Sequence, residues 1–229
     1  MKLSKRLQLL ADVIQKHLQG NTLADIGSDH AYLPSYLVKE GIIKKAYACD
    51  ITEGPIQSAK ETIHYYGLDD QVFAIMGPGL LPIIHKHVDM IAIAGMGAYL
   101  ISDILQEHLD YAKKVPVLFL QPNANVDHLR SYLFQNGFTI MDEEMVKDGN
   151  HIYEVLVVSY AGNKGAVYSV NDIEFGPVLK RECSPLFKEK WRKQSDVYKK
   201  IQSTLHQEHP KYIELQDKIK RIEGVLNDC

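Results

Sequence analysis

The sequence is short of several things, and each absence excludes a class. Its three cysteines, Cys49, Cys183 and Cys229, are odd in number and far apart, with no Cys-x-x-Cys pair. That argues against a disulfide framework or a cysteine zinc site and fits a reducing compartment. No apolar run approaches the roughly 18–20 residues that a membrane span needs. The segment Met1-Lys2-Leu3-Ser4-Lys5-Arg6 holds no apolar leader core, so the expectation is a cytoplasmic protein without membrane contact. His85-Lys86-His87 has no third ligand nearby, and no metal is expected. No Ser/His/Asp or Cys/His arrangement with a supporting motif occurs. A full G-x-G-x-x-G dinucleotide fingerprint is missing as well.

What is present is ordinary for a globular chain: 229 residues, 45% hydrophobic and 24% charged. The net charge of −3 is unevenly spread. Lys180 to Cys229 carries 12 Lys+Arg against 8 Asp+Glu, leaving 14 basic and 21 acidic residues for the rest. A basic tail on an acidic body points to a polyanion partner; the plainer reading is a solvated helical face.

Leu3, Leu7, Leu10, Ile14 and Leu18 make one stripe of an amphipathic helix. From there to about residue 160, short apolar strands alternate with helices. The strands are expected at Leu23–Ile26, Lys45–Asp50, Val72–Met76, Asp89–Ala94 and Val117–Leu120. This alternation implies a mostly parallel sheet covered by helices on both faces. The end differs: Phe138 to Val146 and Ile152 to Ser159 flank an Asp148-Gly149 turn, an antiparallel hairpin signal. A doubly wound sheet closed by such a hairpin resembles the seven-stranded Rossmann-like α/β fold of class I methyltransferases, a likeness of fold that does not by itself give function. Ala161 to Gly165 is a Gly-rich break, giving expected domains of 1–162 and 163–229. Beyond it, Phe187, Trp191, Tyr198, Ile201 and Leu205, then Tyr212, Leu215, Ile219, Ile222 and Leu226, recur at helical spacing on either side of His209-Pro210. The simplest arrangement is an antiparallel helical hairpin, coiled-coil-like and within one monomer.

The sharpest motif is Asp25-Ile26-Gly27-Ser28-Asp29-His30-Ala31-Tyr32, where the first strand hands over to a helix. Ligands of open α/β sheets sit at the carboxyl ends of strands. Gly27 permits a close backbone approach, but Ser28-Asp29 puts negative charge where a diphosphate would lie. A carboxylate repels a diphosphate and favours a cation such as the sulfonium of S-adenosylmethionine. The competing reading is that Asp25 and Asp29 merely cap the helix. Asp50, with Ile51, ends the second strand and suits ribose hydroxyls, or is a turn Asp. Met76-Gly77-Pro78-Gly79 could border an adenine ring or be an ordinary turn. Ala94-Gly95-Met96 could form a backbone wall beside a reacting methyl group, and Gln121-Pro122-Asn123 offers two amides for a nucleobase edge. All five segments fall on one edge of the expected sheet. Trp191 and Tyr198 lie among lysines and could form a stacking surface, though such aromatics are more often a buried seam.

With these motifs together, the chain resembles the bacterial tRNA (adenine-22-N1)-methyltransferase family. The resemblance runs from Leu7-Leu10-Ala11 through Leu23 to Pro34, Gly95-Met96-Gly97, Gln121-Pro122-Asn123, Lys147-Asp148-Gly149, Ile152-Tyr153-Glu154 and Phe175-Gly176-Pro177, essentially the whole length. It implies a Rossmann-like catalytic domain, a C-terminal helical coiled-coil domain, S-adenosylmethionine as cofactor, and tRNA as substrate. Pro78 departs from the family's usual polar residue between those glycines. The residues expected at the cofactor are Asp25, Gly27, Ser28, His30, Asp50, Ile51, Met76, Gly77, Pro78, Ala94, Gly95 and Met96. Those expected at the reacting base are Asp29 as the carboxylate, Tyr32 stacking, and Gln121 and Asn123 orienting. Lys5, Arg6, Lys16, Lys188, Arg192, Lys193, Lys199 and Lys200 are expected to meet RNA phosphates. The alternatives are transfer to another RNA, a protein or a small molecule, a non-catalytic RNA-binding module, and an NAD-linked oxidoreductase, the last disfavoured by the missing glycines.

Overall fold

The computed structural model describes residues 1–162 and 167–229. The Asn163-Lys164-Gly165 part of the expected break lies outside the described residues. The chain divides into two compact units, Met1–Val167 and Tyr168–Cys229.

Unit 1 opens with α1 (Lys5–Lys16). Ser4 caps it, its hydroxyl accepting from the Leu7 N–H at 3.2 Å. The apolar stripe is buried: Leu10 and Ile14 are fully inaccessible, and the helix lies on the terminal β-hairpin. Burying each such side chain stabilises the unit by about 1.5–3 kcal/mol, and Leu10→Ala would cost about 2–5 kcal/mol. Then follow β1 (Thr22–Ile26), α2 (Tyr32–Lys39), β2 (Lys45–Asp50), α3 (Glu53–Tyr65), β3 (Val72–Met76), β4 (Met90–Met96), α4 (Ala98–Glu107), α5 (Leu109–Ala112), β5 (Val117–Pro122), α6 (Val126–Gln135), β6 (Phe138–Asp148) and β7 (His151–Tyr160).

The seven strands form one sheet in the order β3-β2-β1-β4-β5-β7-β6. The first five are parallel; β7 inserts antiparallel between β5 and β6. This is the sheet expected of a class I methyltransferase. The strand order reverses between β1 and β4, so a crevice opens beyond their carboxyl ends. β5 is buried along its whole length and β4 over Met90–Ile93, as strands in the middle of a covered sheet should be, while the carboxyl end of β4 is more open. At the opposite edge, the Asp89 carboxylate accepts from the Asn21 and Thr22 N–H groups at 2.8 and 2.9 Å, tying the start of β1 to β4.

A buried charge cluster joins α6 to the hairpin. Arg130 donates to Glu143 at 2.7 Å and to Glu154 at 2.5 Å, and all three side chains are at most 2% exposed. Burial alone disfavours the guanidinium charge, but the two carboxylates outweigh it and raise the Arg130 pKa. Sequence patterning gave no sign of this arginine.

Unit 2 holds two short helices that the periodicity did not anticipate, α7 (Val170–Phe175) and α8 (Pro177–Glu182). Ser169 and Asp172 form a capping box at the start of α7. Then α9 (Pro185–Gln202) and α10 (Pro210–Asn227) pack as an antiparallel hairpin. Trp191 is buried, edge-on to Phe175 at 4.5 Å, so it belongs to the seam and offers no stacking surface. Cys183 and Cys229 form a disulfide with Cα atoms 5.5 Å apart. This corrects the reading of all three cysteines as unpaired: a separation of 46 residues in sequence is closed by the antiparallel return of α10. Cys49 is the free one, buried in β2.

Candidate active site

The β1–α2 loop crosses over β2. The Gly27 and Ser28 N–H groups both donate to the Cys49 carbonyl, at 2.8 and 3.0 Å. Gly27 is left-handed (φ 73°), and the terminal methyl of Met96 occupies the space a Cβ would need there. Asp29 (φ 49°) and Ala31 (φ 54°) are left-handed too, although neither is glycine. A left-handed Ala is uncommon, whereas Asp tolerates this conformation, and the Asp29 side chain is exposed.

The two acidic residues of this motif differ sharply. Asp25 is buried at the end of β1 and accepts from the Ser28 hydroxyl at 2.6 Å. Loss of solvation pushes its carboxyl up to about 6, against the downward pull of Ser28 and Arg6. Asp29 is 65% exposed, its carboxylate 3.4 Å from His30 Nε2. The His30 and Tyr32 rings stack at 5.2 Å. Arg6, Asp25, Ser28, Asp29, His30 and Tyr32, with apolar neighbours, line a cavity of about 110 Å³. Further along the edge, Asp50 Oδ1 accepts from the N–H and the hydroxyl of Thr52, at 3.0 and 2.9 Å. That is the turn role weighed for it above. Ile51 and Met76 are exposed beside it. Gly77 packs so closely on Pro82 that a Cβ would come within 2.7 Å of its ring; Pro78 follows in the same turn.

The third wall is a network of amides. The register of β4 on β5 shifts between Ala94 and Met96, a bulge centred on left-handed Gly95. Gln121 is fully buried, and its Oε1 accepts from the Gly95 N–H at 3.1 Å and from Arg6 Nη1 at 2.6 Å. Its Nε2 donates to the Asn123 Oδ1 at 3.2 Å. Asn123 is exposed; its Nδ2 donates to the Gly95 carbonyl at 2.7 Å and its backbone N–H to Met96. Gln121 is thus a buried support and Asn123 the amide that faces outward. Tyr99 begins α4 beside this wall, exposed and paired with the His128 ring at 4.0 Å. Neither had been singled out from the sequence, where single aromatics after a Gly-rich loop carry no signal.

The expected phosphate contacts divide. Lys5 is exposed. Arg6 turns inward to the cavity, and Lys16 is held by Asp142 and Glu144 at 2.7 and 2.9 Å. In unit 2, Lys188 donates to the Cys229 carbonyl, Lys193 pairs with Glu189 and Lys199 with Glu223, while Arg192 and Lys200 are exposed. No helix among the described residues is long and apolar enough to cross a membrane, and no group of three ligating side chains that could hold a metal occurs among them.

The model of the tRNA (adenine(22)-N(1))-methyltransferase family, TrmK, matches residues 23–224. The chain belongs to this family. Among TrmK relatives, the tRNA (adenine(22)-N(1))-methyltransferase of Bacillus subtilis is 35% identical over 99% of this chain and 98% of its own. The Streptococcus pneumoniae protein Sp1610, crystallised with S-adenosyl-L-methionine, superimposes with a TM-score of 0.89 at 39% identity, over 98% of this chain and 100% of that one. M. capricolum TrmK bound to S-adenosylhomocysteine gives 0.87 at 28% identity, with 99% of each chain covered.

Proposed function

We propose that the chain transfers a methyl group from S-adenosylmethionine to N1 of adenine 22 in tRNA. One observation carries this beyond family membership: the Asp25–Tyr32 loop, Asp50, the Gly95 bulge and Asn123 all lie at the carboxyl ends of adjacent strands, β1, β2, β4 and β5. When bound, S-adenosylmethionine supplies an electrophilic methyl group on a cationic sulfur. The residues present fit it. Asp25, Gly27, Ser28 and His30 would hold its amino-acid end, and a buried carboxyl that burial alone disfavours gains most from a cationic neighbour. Asp50 and Ile51 would serve the ribose, Met76, Gly77 and Pro78 would border the adenine ring, and Ala94, Gly95 and Met96 would wall the methyl group.

Adenine N1 has a lone pair in its neutral form, so attack needs no general base. What the protein must do is align the base and exclude water. Asn123, fixed by Gln121, presents its amide to the base edge. Tyr32 stacks on the ring. As methylation proceeds, positive charge builds on the purine, and Asp29 stabilises it more in the transition state than before. Reaching the crevice requires the base to leave its stack, at a cost of a few kcal/mol. Phosphate contacts from the basic residues of 163–229 and from Lys5 offset that cost.

The test is transfer of labelled methyl to a tRNA transcript bearing adenine 22 and to the same transcript with guanine there. Label confined to the first, at N1 of residue 22, is expected. Equal labelling of both, or none of either, overturns the reading.

A further inference from the structure

Tyr99 and His128 form a pair of rings that the packing of unit 1 does not require. Tyr99 lies in the first turn of α4, just after the Gly95 bulge, and His128 in the first turn of α6, just after Asn123. Their centroids are 4.0 Å apart, with the planes inclined at 32°. Tyr99 is nevertheless 58% exposed, so His128 covers one face of its ring and leaves the other to water. Neither the Tyr99 hydroxyl nor the ring nitrogens of His128 make a hydrogen bond or an ion pair among the described residues. The core is complete without them: Ala98, Ile101, Leu129 and Leu133 are fully inaccessible and bury the inward sides of these two helices.

An open aromatic face beside a base pocket is a platform for another base, because every nucleobase has a π-face to lay on it. The topology says which base. β2 lies on one side of β1 and β5 on the other side of β4, and right-handed crossovers then put α2 and α4 on opposite faces of the sheet. Tyr32, which opens α2, and Tyr99 therefore stand on opposite lips of the crevice. The turns after β4 and β5 are also tied together. The Asn123 N–H donates to the Met96 carbonyl at 2.7 Å and the Ala98 N–H to the Ala124 carbonyl at 3.3 Å. Gly95 precedes this tie and Tyr99 follows it. A base that faces Asn123 and stacks on Tyr32 occupies the near side, and Tyr99 meets what comes next along the strand. A nucleotide that leaves its stack strips one face from each neighbour, and Tyr99 can cover one such face.

We propose that Tyr99, backed by His128, stacks on the nucleotide adjacent to adenine 22 when that base enters the crevice. This rests on the function proposed above and adds a contact that a tRNA strand makes and a free adenine nucleoside does not.

The experiment uses the full chain with S-adenosylhomocysteine and tRNA transcripts carrying 2-aminopurine, which dims when stacked. The probe replaces the nucleotide before adenine 22, the one after it, or residue 22 itself. Wild type, Tyr99→Phe and Tyr99→Ala are compared at saturating protein, each checked by thermal melting. With the probe at one of the two neighbours, the Tyr99→Ala complex should be at least about twofold brighter than wild type, while Tyr99→Phe matches wild type. If Tyr99→Ala does not fold, Tyr99→Leu takes its place, keeping apolar bulk without a ring. Tyr99→Ala should also raise KM for tRNA about fivefold or more, as loss of one base–aromatic stack implies. A role in helix packing alone would lower the melting temperature and leave the complexes equally bright. His128→Ala should brighten the same complex and His128→Phe should not; equal brightness of these two overturns the part given to His128. Equal brightness of wild type and Tyr99→Ala at both neighbours, or a Tyr99-dependent change confined to the probe at residue 22, overturns this assignment alone. Failure of the wild type to methylate adenine 22 in the unsubstituted transcript overturns the proposed function with it.

Discussion

The strand-end crevice of residues 22–123 and the helical hairpin of residues 185–227 are both rich in charge, yet they spend it differently. In the hairpin, Lys193 pairs with Glu189 and Lys218 with Glu214 across one helical turn, on faces in water. Such pairs contribute little and can be rearranged freely. In unit 1, charge is withdrawn from water at Asp25 in the crevice, 5% exposed, and, away from the crevice, at Arg130 and Glu143, 1% and 0% exposed. Each of those groups is held at one place by specific partners. If the hairpin meets tRNA as proposed, these exposed charges are free to adjust to it, whereas the buried groups of unit 1 are fixed in place.

The widest test of that contrast is Arg130→Met. Removing the cation leaves Glu143 and Glu154 buried without it, and unit 1 should lose about 3–5 kcal/mol in urea unfolding. A loss near zero would mean the buried cluster behaves like a surface pair. Next comes Asp29→Ala, which should cut methyl transfer about 10²–10³-fold while melting stays at the wild-type temperature, since the side chain is exposed. A near-normal rate would remove Asp29 from the chemistry.

Asp25 sharpens the comparison through pH. Its carboxyl ionises near 3.8 unfolded and near about 6 folded. Between those values the folded state holds the extra proton, so this group's contribution falls as pH rises, and above about pH 6 the full cost of about 3 kcal/mol persists. Asp25→Asn should melt higher than wild type at pH 7.5, with the gap closing by pH 4. A gap independent of pH would contradict the assignment of burial as the cause. The smallest effect belongs to the hairpin. Arg192→Ala with Lys200→Ala should weaken tRNA binding and lower its salt slope by about 1.5–2, with S-adenosylmethionine affinity unchanged.

The alternation of apolar strands and helices up to residue 160, and the Asp148-Gly149 turn, were enough to expect the sheet and its antiparallel end. Period and turn chemistry are local, and the sequence displays them directly. The five motifs at the strand ends were legible for the same reason, since topology carries every β–α junction to one edge. What stayed hidden depends on distance in space. Arg6 reads as a basic residue on an amphipathic helix until α1 is laid on the sheet beside Gln121, 115 residues away. Arg130 reads as a helix-surface charge until β6 and β7 bring Glu143 and Glu154 to it. Cys183 and Cys229 read as unrelated until α10 returns along α9. The short helices α7 and α8 carry too few turns to leave a period.

The most direct test is a crystal structure of the chain with S-adenosylmethionine bound. The account predicts the ligand across the carboxyl ends of β1 and β2, its amino-acid end among Asp25, Gly27, Ser28 and His30 and its ribose at Asp50. Density lying elsewhere on the molecule, or a crevice still bare at saturating donor, would contradict it.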